Sequence, residues 1–179
     1  MSSNGSHGRK WTPYRIQATV PVGSAIARDH VVFTPQKIES AFLQHRHAGG
    51  IIRQIVVDDF SAVGASLFFH FMNREIEIGS TGTPFSVAQD DLRFVNSRAF
   101  IGSSNYTQIG NTMRCTSPAL DEPCLSVPIA PEWYFLSEGE RNMHPSFGET
   151  TDIWMACVAN EQVSFTIDKL DVTLWVERF

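Results

Sequence analysis

Polar and apolar residues alternate along positions 14–20. Ile16, Ala18 and Val20 fall on one side, and Arg15, Gln17 and Thr19 on the other. A period of two marks a half-buried β-strand, and Pro21 and Gly23 end it. Residues 30–33 predict a short strand. Residues 37–44 predict a helix, because Ile38, Ala41 and Phe42 recur at i, i+3 and i+4. Thr34 and Pro35 suit the N-cap and first-turn positions of that helix, and Gly49-Gly50 closes it. The strand signal is strongest at 50–58, where Ile51, Ile52, Ile55, Val56 and Val57 are β-branched. Residues 65–72 are apolar on both faces through Leu67, Phe68, Phe69 and Phe71. Such a strand belongs at the centre of a sheet, covered on both sides.

Further along, 79–84 predicts a turn-rich loop and 86–95 a short helix capped by Ser86. Residues 99–102 and 106–115 predict strands. Prolines at 118, 123, 128 and 131 make 117–131 an edge strand or a loop. A strand at 132–137, a polar loop at 139–151 and a strand at 152–159 follow. The last strand alternates cleanly: Leu170, Val172, Leu174 and Val176 oppose Asp171, Thr173, Trp175 and Glu177. Seven to nine strands, one or two short helices and closely spaced turns predict an all-β fold, a jelly-roll-like β-sandwich. The pattern divides the chain into a flexible N-terminal arm, 1–12, and a single sandwich domain, 13–179.

Composition narrows the function. A chain of 179 residues that is 42% hydrophobic buries a real core and is not a disordered protein. A net charge of −5 argues against phosphate-backbone binding, so no nucleic-acid partner is expected. Only 18% of residues are charged while 13 are Phe, below the usual quarter for charge. That balance points to a protein whose surface is covered by other protein. Cys115, Cys124 and Cys157 form no CxxC motif and read as reduced thiols. Residues 1–10 lack the apolar core of a signal peptide. The longest apolar stretch, 62–72, is interrupted by Gly64, Ser66 and His70, well short of the ~20 residues that span a bilayer. No membrane partner is expected.

Motifs for chemistry are sparse. His45 and His47 flank Arg46 at the end of the predicted helix, where i and i+2 diverge, and no Glu lies in the next four positions to complete a metal set. Asp58-Asp59 and Asp90-Asp91 are paired acids, yet neighbours on a strand face opposite ways and neither pair lies in a calcium-loop motif. GxSxG, GxGxxG and Walker A patterns are absent. The expectation is a protein with no catalytic residues, metal or cofactor. Partner-binding candidates are Arg9, Lys10 and Trp11, a basic and aromatic end to the arm, and Trp175, an aromatic on the polar face of the last strand.

The motif order carries a resemblance. Ile16-Gln17-Ala18-Thr19-Val20 comes first, and a helix ending in Gly49-Gly50 follows. The strand 50–59 then leads through Gly64-Ala65 into Leu67-Phe68-Phe69-His70-Phe71. Ala88-Gln89-Asp90-Asp91 precedes a strand with Gly102, and 153–158 and 170–176 close the chain. This order resembles a family of small tailed-bacteriophage structural proteins similar to jelly-roll head decoration, or cement, proteins. The resemblance implies a virion protein, assembled in the host cytoplasm, that binds the outer phage head as a homo-oligomer, with a trimer favoured. It would stabilise the shell by bridging major capsid protein subunits, and the family supplies no catalytic residues. The segments 117–131 and 139–151 depart from the pattern. The alternative is a tail- or vertex-associated jelly roll that binds another virion protein, or carbohydrate through Trp133, Tyr134, Trp154 or Trp175.

Overall fold

The computed structural model describes residues 11–38, 50–72, 74–116 and 153–178. Among them are eleven strands: β1 (Trp11–Thr19), β2 (Ala25–Ile26), β3 (Val31–Ile38), β4 (Gly50–Asp59), β5 (Leu67–Met72), β6 (Val95–Ile101), β7 (Tyr106–Ile109), β8 (Thr112–Thr116), β9 (Ile153–Ala159), β10 (Val163–Ser164) and β11 (Lys169–Arg178). They form a five-stranded sheet, β1-β11-β4-β8-β7, a four-stranded sheet, β3-β9-β5-β6, and a small ribbon of β10 and β2.

The strand order is a jelly roll. Setting aside the ribbon and β7, the first remaining strand pairs with the last (β1 with β11) and the second with the seventh (β3 with β9). The third pairs with the sixth (β4 with β8) and the fourth with the fifth (β5 with β6), all antiparallel. A ribbon folded back on itself in this way makes two Greek keys and two facing sheets. Alternation supplies the faces. Ala18, Ile55, Val57, Leu170, Val172 and Leu174 point inward from the larger sheet and are buried. Phe69, Leu67, Ile101, Met155 and Cys157 meet them from the smaller one, in the same core cluster. Burying a side chain of this size contributes about 1.5–3 kcal/mol.

Several expectations are met and several give way. The strands expected at 14–20, 50–58, 65–72, 152–159 and 170–176 are present. β5 is central, between β9 and β6, and is covered on both faces. The short strand and helix start expected around 30–38 are instead one strand, Val31–Ile38, paired with β9. Lys37 and Ile38, the first two residues of the expected helix, are strand residues opposite Trp154 and Ile153. Pro35 is tolerated because β3 is an edge strand among the described residues and its register shifts between Phe33 and Gln36, where no ladder N–H is needed. The rest of that helix, with His45 and His47, lies outside the described residues.

The strand expected over 106–115 is a hairpin, β7–β8. It turns at Gly110, whose φ of +62° is the left-handed geometry that hairpin turns favour. The helix expected at 86–95 is a 3-10 turn, Gln89–Phe94. Its N-cap residue is Ala88, not Ser86, whose N–H donates to the Ile78 carbonyl at 3.0 Å. β1 begins at Trp11, so Trp11 and Thr12 are strand residues opposite Glu177 and Val176 and not part of an arm.

The connections 20–30, 60–66, 102–105 and 160–168 gather at one end of the sandwich, and short bonds join them. Asp59, buried at the end of β4, accepts the N–H groups of Ser61 (2.9 Å), Val63 (2.9 Å) and Gly64 (2.8 Å). Ser61 Oγ accepts the N–H groups of Thr166 and Ile167 and donates to the Ile167 carbonyl. Ser66 N–H donates to Glu161, and Ser103 N–H to Ser66 Oγ. Ile38, Gly50, Ile153 and Arg178 lie at the other end, as does Trp11, by the register of their strands.

Candidate partner-binding surface

The outer face of the five-stranded sheet follows from the same alternation that builds the core. With Leu170, Val172 and Leu174 inward, Asp171, Thr173 and Trp175 point outward from β11. Opposite them stand Gln17, Arg15 and Pro13 on β1, and Asp58, Val56 and Gln54 on β4. Arg114 and Thr107 extend the Asp58 row onto β8 and β7.

That row carries charges in the order Asp171, Asp58, Arg114. Two carboxylates directly opposite each other across a strand pair repel, and here each has its own arginine. Arg15 donates to Asp171 through Nε and a terminal nitrogen. Arg114 forks onto Asp58 at 2.5 and 2.9 Å, a bond that pushes its own pKa up. Asp171 is only 1% exposed, beneath Arg15 and Lys169, and its Oδ1 is buried without a hydrogen-bond partner. The periodicity marks Asp171 as an outward polar residue but carries no sign of its burial, which comes from arginine and lysine stems on the neighbouring positions.

Trp175 is half-buried at the far end of this face, between Pro13 and Gln54. Trp11 enters β1 opposite Glu177, two residues along β11 from Trp175. Two of the four sequence candidates therefore lie at the same end of one sheet, beside β1, an edge strand among the described residues. Arg9 and Lys10 lie outside the described residues, as do Trp133, Tyr134 and Cys124. Trp154 faces the other way, packed into a second apolar cluster on the outside of the four-stranded sheet.

The paired acids have structural roles. Asp58 and Asp59 face opposite sides of β4, one toward Arg114 and the other capping the turn after the strand. Asp91 binds Arg74 at 2.6 Å in the first turn of the 3-10 segment. Cys115 and Cys157 are buried, and burial pushes the Cys157 thiol up. Among the described residues, no three His, Cys, Asp or Glu side chains gather as a metal site, and no helix is long and apolar enough to cross a membrane.

No protein-family model and no curated protein matches the chain. Among solved structures, a chain from "Structure of deformed wing virus, a honeybee pathogen" is similar at 10% identity and a TM-score of 0.31, over 94% of this chain. This chain spans 45% of that neighbour's length. A likeness of that size carries no argument about function, and the jelly-roll assignment rests on the strand order itself.

Proposed function

We propose that this protein is a virion structural protein, a decoration protein that binds the outer surface of a phage head and bridges major capsid protein subunits. The observation that carries this reading is the half-buried Trp175 on the outer face of the five-stranded sheet of a jelly roll, at the end of that sheet where β1 begins with Trp11. A half-buried tryptophan beside an edge strand offers an aromatic anchor of the kind that dominates protein interfaces. The low charge and many aromatics of the chain fit a surface shared with neighbours. Viral capsid domains are among the uses of this architecture, though fold by itself does not name a function. The protein acts by binding, without catalysis or cofactor, and a homotrimer is the assembly favoured.

Quantitative mass spectrometry of purified particles, relative to the major capsid protein, tests the reading. Hundreds of copies per particle are expected. A handful would move the protein to the tail or a vertex, and absence from the particle would overturn the structural role. Deleting residues 1–10, which spares β1, is expected to leave the fold intact and lower occupancy on the head. Unchanged occupancy would remove Arg9 and Lys10 from the interface. Trp175→Ala is expected to lower it further, and a glycan array separates capsid docking from a sugar platform at the same tryptophan.

A further inference from the structure

Residues 74–94 form a strap over the outer face of the four-stranded sheet. Ile76, Ile78 and Phe85 belong to an apolar cluster there with Val31, Met72 and Ala156, separate from the sandwich core. Backbone bonds pin the strap near its middle: Gly82 N–H to the Val31 carbonyl (2.7 Å), Val31 N–H to Thr83 (2.9 Å) and Phe85 N–H to Asp29 (2.8 Å). At its ends, Arg74 binds Asp91 and lies 3.5 Å over the Phe94 ring.

His70 points into this layer from the centre of β5. Its ring stacks on Phe85 with centroids 4.6 Å apart and planes 23° from parallel. It is 8% exposed, and its Nδ1 is buried with no hydrogen-bond partner. Each element around it offers a neutral group or a cation. β6 places Arg98 directly opposite, β9 places Ala156, and β5 itself contributes Phe68, which carries the Arg98 guanidinium 4.9 Å from its ring centroid. The strap contributes Phe85. Its Glu75, Glu77 and Asp90 are exposed, and Asp91 is taken by Arg74. On the connection before β3, Asp29 carries an exposed carboxylate beside Arg28, and His30 bridges Pro84 through its backbone.

We propose that His70 and Phe85 form an acid-released clasp: the neutral imidazole keeps strap 74–94 closed on the sheet, and a proton on His70 opens it while the sandwich beneath stays folded. Burial and then the Arg98 charge lower the His70 pKa from 6.5 to about 4. The Phe85 ring face attracts an imidazolium, but desolvation is the larger effect. Opening returns the imidazole to water and its ordinary pKa, so acid favours the open form. The open population rises as pH falls below about 6.5 and levels off below about 4, by up to about 300-fold. Local opening costs less than global unfolding where few backbone bonds tie a segment down.

Hydrogen exchange followed by mass spectrometry from pH 7 to 4, corrected for intrinsic rates, tests the clasp in the full chain. Peptides from 79–88 are expected to lose protection on acidification while β5 and β9 keep theirs. His70→Phe, which keeps the stack and removes the titration, is expected to abolish the change. Should that variant fail to fold, Arg98→Gln at an exposed position is expected to reduce it. Flat strap protection down to pH 4 overturns the proposal. So does an equal loss in His70→Phe, or in Arg98→Gln where that variant stands in, and so does exchange of β5 and β9 in step with the strap.

Discussion

Asp58 and Asp59 are neighbours with opposite fates, and replacing each by alanine separates them. Asp59 is 0% exposed and accepts three backbone N–H groups, from Ser61, Val63 and Gly64. In Asp59→Ala the buried Gly64 N–H is left without a partner, which costs about 1–3 kcal/mol. The other two donors are part-buried and partly recover water, each losing about 1 kcal/mol. The same bonds hold Ala62 at a φ of +54°, a conformation that disfavours a Cβ. The total is about 3–5 kcal/mol, or roughly 10 °C in melting temperature for a domain of this size. Asp58 accepts from Arg114, whose side chain is 48% exposed, and stands opposite Asp171. An exposed pair of this kind is worth about 0–1 kcal/mol, and removing Asp58 also relieves the repulsion. Thermal and urea unfolding followed by circular dichroism read both variants, with Asp59→Asn expected to recover part of the loss. Equal effects from the two alanine variants, or less than about 1 kcal/mol from Asp59→Ala, would refute the turn-capping argument.

Gly110→Ala is expected to cost about 1 kcal/mol, since its φ is +62° and the space around it is open. Gly64→Ala should cost more, because its Cβ would also lie 2.9 Å from the Met113 sulfur; urea midpoints give the order, and a reversal would sink it. Phe69→Ala, at the fully buried centre of β5, is expected to lose about 3–5 kcal/mol by the same measurement. Cys157 should resist iodoacetamide at pH 8 in the native protein and react once unfolded, as peptide mass spectrometry would show; native labelling at the unfolded rate would contradict its burial.

Strand existence was legible wherever one face had to be apolar. Ile16 and Ala18, or Leu170, Val172 and Leu174, repeat every second residue because one side of their sheet is core. The apolar runs on both faces of β5 likewise announced its central place. What local pattern did not hold was decided by partners far away in the chain. Thr34 and Pro35 read as the start of a helix, yet the stretch through Ile38 is a strand because β9, more than a hundred residues later, pairs with it. Asp171 looks like any outward polar residue until Arg15, 156 positions away, lies over it. His70 reads as a break in an apolar stretch until the strap brings Phe85 onto its ring. Periodicity reports which side of an element avoids water, because that depends on each residue's own side chain. Pairing order, buried charge and the placing of positions 11 and 175 at one end of one sheet depend on which distant strands close together, and only the folded sandwich settles that.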